Sequence, residues 1–255
     1  WENARRFSQT SDTPFMQSPL LEEFGHLAQS PATRRVLNGS YIPPPGADVC
    51  AQKLFRELVM APSVASAPPM SVVLSAAQHI RGWKKSKEFA ATGPSGLTFS
   101  HFIASTCDPM LASFDATVAN VPHATGYSPL RWQAGADVMI PKSVASLRVD
   151  KLRTILLLDP EFNQNNKLLG RSLMMQAEKH SQMPAEQCGS RKKHRAVEAA
   201  LNKVLTQDIW RQKRQAGALC SNDAKSCYDR VVHSFAILCT LRLGCPPGPV
   251  VSMFT

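Results

Sequence analysis

Apolar positions along the chain keep two rhythms: helical spacing over most of its length, and short unbroken runs at a few places. Ser18 followed by Pro19 reads as an N-cap and first-turn pair opening 20-LLEEFGHLA, and 48-DVCAQKLFRELVM is a second amphipathic segment. The proline-rich stretches YIPPPG (41–46) and APSVASAPPM (61–70) interrupt this region. The second marks the best boundary, with 1–70 a helical extension and 71–255 the compact part. From Ser71, SVVLSAAQHIRGW predicts a helix, and Phe102, Ile103, Met110, Leu111, Phe114 and Val118 predict another with a break at Asp108-Pro109.

The rhythm then changes. Residues 136-ADVMIPK and 151-KLRTILLLD read as strands bounded by charge or proline. Helices follow over about 164–180 and 190–213, the second with an apolar stripe of Val197, Leu201, Val204, Leu205 and Ile209. A short strand is predicted at 217–222. A helix from about Ser226 to Leu243 follows, with Tyr228, Val232, Phe235, Ala236 and Cys239 as its buried stripe and Gly244 at C′. Segregated helices and strands without internal repeats argue an α+β fold.

Composition adds less than the distribution of charge. An apolar fraction of 44% in 255 residues is that of a globular chain with a sizeable core. No apolar run is long enough to cross a bilayer and no signal peptide opens the sequence, so an intracellular protein without a membrane partner is expected. The chain starts on Trp1 and stops at Thr255 just after an apolar stretch, which reads as a piece of a longer frame. Seven cysteines, none in a C-x-x-C pair, are expected to be reduced and mostly buried, and Cys188 has no neighbouring Cys/His pattern of zinc spacing. The net charge of +10 is uneven: residues 1–70 carry six basic and six acidic side chains, residues 140–215 fifteen and seven. Such local excess suits a face that meets phosphate, though a merely solvated basic face reads the same way.

One stretch carries candidate chemistry, 217-GALCSNDAKSCYDRVVHSFAILCTLRLG-244. A carboxylate at a strand's end, just before a turn into a helix, is open to a hard cation, and Asp223 holds that position. The N–H groups of Ala224 and Lys225 at the helix entrance favour a phosphate. A divalent ion on Asp223 could bridge to that phosphate. The plainer alternatives are that Asp223 is an N-cap and Tyr228 the first member of a core stripe.

DAKSCYDRV resembles motif A of reverse transcriptases, most closely the non-LTR (LINE-like) retrotransposon type. Four further segments resemble that family in family order: 93-GPSGLT, 126-GYSPLRWQAGADVMIPK, 151-KLRTILLLDPEFNQNNKLLGR and 184-PAEQCGSRKKHRAVEAA. The resemblance spans about residues 80–255 and leaves the first seventy residues aside. It implies a partial polymerase right hand, with fingers over 71–216, the start of a ferredoxin-like palm over 217–255, and a mostly helical extension over 1–70. Asp223 then matches the first catalytic aspartate, a ligand of magnesium, and Tyr228 the aromatic gate beneath the incoming sugar. Lys142 and Arg153 match the fingers cations that hold the triphosphate of the incoming dNTP, with Ala224 beside it. For Lys142 a surface lysine ending a strand remains the alternative. Arg191, Lys192, Lys193 and Arg195 would face the backbone of an RNA template or DNA primer, or simply close an exposed helix end. Asp229 suits the start of a helix, and His194, with no carboxylate neighbour in sequence, is given no acid–base role.

The sequence departs from the family where the remaining carboxylates should be. No Asp-Asp dipeptide occurs in the 255 residues, so the aromatic-x-Asp-Asp turn is missing and this piece alone is not expected to polymerise. The alternative is a non-catalytic nucleic-acid-binding remnant or a repurposed protein using the basic surface. A parent enzyme would work in nucleus or cytoplasm as a ribonucleoprotein. No Gly-x-Ser-x-Gly elbow, Walker phosphate loop or zinc-protease helix is present.

Overall fold

The computed structural model describes residues 23–25, 27–142, 148, 151–189, 191–219 and 231–254, a mixed architecture of helices with a small two-stranded sheet. The first helices are α1 (Pro31–Leu37), α2 (Val49–Glu57) and the single turn α3 (Pro62–Ala65). Proline at the first turn opens α1 and α3, and the Asp48 carboxylate opens α2 by accepting from Cys50 N. Helix α4 (Ala76–Trp83) starts five residues later than the apolar pattern suggests, at a capping box of Ser75 and Gln78. The break expected at Asp108-Pro109 separates α5 (Phe99–Ser105) from α6 (Pro109–Thr125). Asp108 Oδ1 caps α6 by accepting from Met110 N at 2.7 Å and Leu111 N at 3.0 Å.

Strands β1 (Ala136–Pro141) and β2 (Leu152–Leu157) form one antiparallel hairpin with Ala136 opposite Leu157 and Ile140 opposite Arg153. Val138, Ile140, Met139, Ile155 and Leu156 are all exposed, so the hairpin buries neither face against the described residues. Helices α7 (Pro160–Lys179), α8 (Ala196–Gln212), α9 (His233–Arg242) and α10 (Pro247–Phe254) complete the chain.

Among the described residues an apolar cluster joins the early helices to the last ones. Phe24, Val36, Phe55 and Leu58 meet Leu169, Ile237, Leu238 and Val250. Rings add to it, with Tyr41 and Phe55 centroids 4.8 Å apart and Phe24 and Phe235 6.4 Å apart. Backbone and side chain also cross the proline-rich stretch at 61–70: Met70 N donates to Gly244 O at 3.2 Å, and Arg242 Nε to Val59 O at 3.2 Å. Elsewhere Asn120 pairs its amide with both backbone groups of Leu74, at 2.7 and 2.9 Å, which ties α6 to the approach of α4. Gly248 lets α10 reach α6, because a Cβ there would stand 2.2 Å from His123 O.

Several expectations change. The helix predicted from Ser226 begins at His233, and its buried face is Ser234, Ile237 and Leu238; Phe235 and Ala236 are half-buried and Cys239 is exposed. The rotation follows from which side meets α1 and α10. The stripe of α8 is visible in sequence but uncovered, and no residue of that helix is buried. Of the described cysteines only Cys245 is buried, while Cys50, Cys107 and Cys239 are exposed. Residues 217–219 carry no strand, and 220–222 lie outside the described residues, as does the Ser18–Pro19 cap. Among the described residues no helix is long and apolar enough to cross a membrane.

Candidate nucleotide and nucleic-acid surface

The antiparallel register decides which hairpin side chains share a face. Residues directly opposite lie on the same side, and alternate residues along a strand do too. Ile140 opposes Arg153, and Lys142 N donates to Lys151 O at 3.0 Å. Lys142, Lys151 and Arg153 therefore stand on one face at the far end of the hairpin, all three exposed. Three cations on one face at close spacing can neutralise a polyphosphate, with the arginine supplying a two-pronged donor.

The near end of the hairpin is held by residues from three distant stretches. Asp159, fully buried, caps α7 by accepting from Glu161 N at 3.0 Å and takes a second bond from Ser95 Oγ at 2.8 Å. Gly93 N donates to Leu158 O at 3.1 Å, and a Cβ on Gly93 would meet the Leu158 carbonyl carbon at 2.9 Å. Only glycine allows so close an approach. Arg131 lies 3.8 Å from Asp159 Oδ2 and bonds the Glu161 carboxylate, which also accepts from Trp132 Nε1 at 3.3 Å. Burial pushes the Glu161 carboxyl up, against the pull of the Arg131 guanidinium. The two carboxylates resemble an acid pair for a metal, but Arg131 already bridges them and Asp159 has both oxygens engaged. This node anchors the base of the hairpin. Sequence reading passed over Arg131, Asp159 and Glu161; the available signal was an acid following directly on an apolar strand.

The basic run 191–195 divides in two. Arg191 Nε and Nη2 grip Glu178 Oε1 and Oε2 at 2.5 and 3.0 Å, and Nη1 donates to Pro184 O at 2.8 Å and Gln187 O at 3.1 Å. The pair holds the Glu178 carboxyl below its usual range and the Arg191 guanidinium above its own. With four of its five N–H donors engaged inside the protein, Arg191 clamps the loop, which leaves it little to offer a nucleic acid. Lys192, Lys193 and Arg195 are exposed and keep that role open. His194, expected to lack a carboxylate neighbour, has Glu198 one helical turn on, with Nδ1 to Oε2 at 3.7 Å. Cys188 joins them, the three ligand atoms all lying within 4.8 Å of one another.

Asp223, Ala224 and Tyr228 lie outside the described residues, and so do Lys225 and Asp229. Among the described residues the one grouping suited to a metal offers sulfur, nitrogen and oxygen, not the oxygen cage that magnesium takes. An apolar cleft between α1 and α9, lined by Leu37, Met60, Val64 and Ile237, presents Arg34 as its charged group. Its cysteine, Cys245, is pushed up to about 12 by burial and is inert as a nucleophile. Compared with known proteins, the chain matches no family model, no curated protein and no solved structure.

Proposed function

We propose that the chain is the fingers region and the beginning of the palm of an RNA-directed DNA polymerase of the non-LTR retrotransposon kind. One observation carries the reading: Lys142 and Arg153, expected from the resemblance to hold a triphosphate, share one exposed face at the end of a hairpin. Three of the segments that carry the resemblance also meet at the base of that hairpin, through Ser95, Arg131, Trp132 and Asp159. In this reading Lys142 and Arg153 bind the phosphates of the incoming dNTP, where fixed cations stabilise charge that spreads during transfer. Tyr228 lies against the sugar and excludes a 2′-hydroxyl. Asp223 would hold magnesium, which would supply positive charge to the transferring phosphoryl group and the leaving oxygen. Lys192, Lys193 and Arg195 line the path of an RNA template and DNA primer. With one of the required carboxylates in hand, the chain by itself does not extend a primer.

The test is to sequence the transcript beyond the codon for Thr255 and assay the product for primer extension. An aromatic-x-Asp-Asp box downstream, with extension abolished by Asp223→Ala, is the expected result. A frame that closes without those carboxylates, in a protein that still binds nucleic acid in a salt-dependent way, would move the assignment to a binding protein without catalysis.

A further inference from the structure

The loop between α7 and α8 gathers three metal-ligating side chains that the polymerase reading does not use. Cys188 leaves the loop, His194 stands just before α8, and Glu198 lies in its first turn, four residues after the histidine. Glu198 therefore faces the histidine from the first turn of the helix, across the N-cap Arg195. Their ligand atoms all lie within 4.8 Å of one another, and His194 Nδ1 is 3.7 Å from Glu198 Oε2. Around a tetrahedral zinc ion, with bonds of about 2.3 Å to sulfur and about 2.0–2.2 Å to nitrogen and oxygen, ligand atoms sit roughly 3.3–3.6 Å apart. The widest pair would have to close by no more than about 1.5 Å.

We propose that Cys188, His194 and Glu198 bind a zinc ion, with water completing a tetrahedron. Charge supports the choice of metal. A thiolate, a carboxylate and a neutral imidazole exactly offset a dication, so the centre is neutral amid Lys192, Lys193 and Arg195. A sulfur ligand selects a borderline-soft ion over magnesium or calcium. The loop is also held in advance: Arg191 donates to Pro184 O and Gln187 O while gripping Glu178, which fixes the backbone immediately before Cys188. The clamp on Glu178 ties the loop to α7, and metal binding would fasten it to α8 as well. Scanning for paired cysteines misses the site because its spacing is Cys-x5-His-x3-Glu, with a single cysteine.

The experiment is titration of the reduced 255-residue chain with cobalt(II), followed by displacement with zinc. The expected result is one equivalent bound with a sulfur-to-cobalt charge-transfer band and tetrahedral ligand-field bands, both lost on adding one equivalent of zinc. Cys188→Ser abolishes the charge-transfer band, whereas Cys50→Ser and Cys239→Ser, at exposed cysteines elsewhere, leave it unchanged. His194→Ala and Glu198→Gln weaken binding by at least about tenfold, the lower end of what losing even an outer-shell partner costs. Absence of the band, or a band that survives Cys188→Ser, would overturn the proposal. None of these readouts depends on polymerase activity, so they stand apart from the proposed function.

Discussion

Ser95 Oγ donates to the buried Asp159 carboxylate at 2.8 Å across 64 residues of sequence, and this bond joins a surface turn to the first turn of α7. Asp159 serves both as helix cap and as acceptor for the turn. Replacing it by alanine removes the cap, at about 0.5–2 kcal/mol, and the Ser95 bond, at about 1 kcal/mol. We expect a loss of roughly 1.5–3 kcal/mol in urea denaturation for Asp159→Ala and about 1 kcal/mol for Ser95→Ala. The double variant should cost less than the sum, because both remove the same bond.

Salt dependence separates the two halves of the basic run. Lys192→Ala and Arg195→Ala should each lower the slope of log affinity against log salt by about one for an RNA–DNA hybrid. Arg191→Ala should leave that slope unchanged and instead expose the 184–195 loop to proteolysis, because its guanidinium holds Glu178 and two carbonyls. Equal slope changes for all three would return Arg191 to the nucleic-acid surface.

Two buried histidines set an acid limit on stability. Burial lowers His79 and His123 below the ordinary histidine value of 6.5, against a weaker pull from Asp115 on His79 and a bond from Val72 O on His123. Both are neutral in the fold and take up protons more readily once it opens. Their stabilising contribution is therefore present above about pH 6.5 and lost as the pH falls below it, by at most about 1.4 kcal/mol per pH unit for each. Thermal denaturation between pH 7.5 and pH 5 should show a falling Tm, with a shallower fall in His123→Gln. A Tm that rises on acidification would contradict the assignment.

The stripe on α8 and the face of α9 give opposite forecasts. Leu201→Gln and Val204→Gln lie at positions 55% and 52% exposed and should change stability by no more than about 0.5 kcal/mol. Ile237→Ala, at a fully buried site, should cost about 2–5 kcal/mol. Guanidinium midpoints for the three variants decide the matter.

These two helices also show what the sequence made legible. The hairpin was readable because charge and proline bound both strands, and Asp108-Pro109 marked a helix start that needs only local chemistry. Periodicity told that α8 and α9 are helices but not which side is covered, since covering depends on partners distant in sequence. Val197 and Leu201 form a proper stripe that stays exposed, while Ile237 and Leu238 were passed over because the buried stripe was taken to begin at Tyr228. In the candidate surface, Lys142 and Arg153 were singled out by the resemblance alone, and their shared face required the strand register. The Cys188 cluster was missed because its members come from a loop and a helix start rather than a compact motif.

The core that unites Phe24 with Ile237 bears on how the protein is made. Arg242 reaches the carbonyl of Val59 across 183 residues, so the early helices wait for that much chain to be synthesised. At 5–20 residues per second the interval is roughly 9–37 s. Throughout it Phe24, Val36 and Phe55 lack the later helices that cover them, and a nascent chain on the ribosome presents that surface to whatever holdase is near.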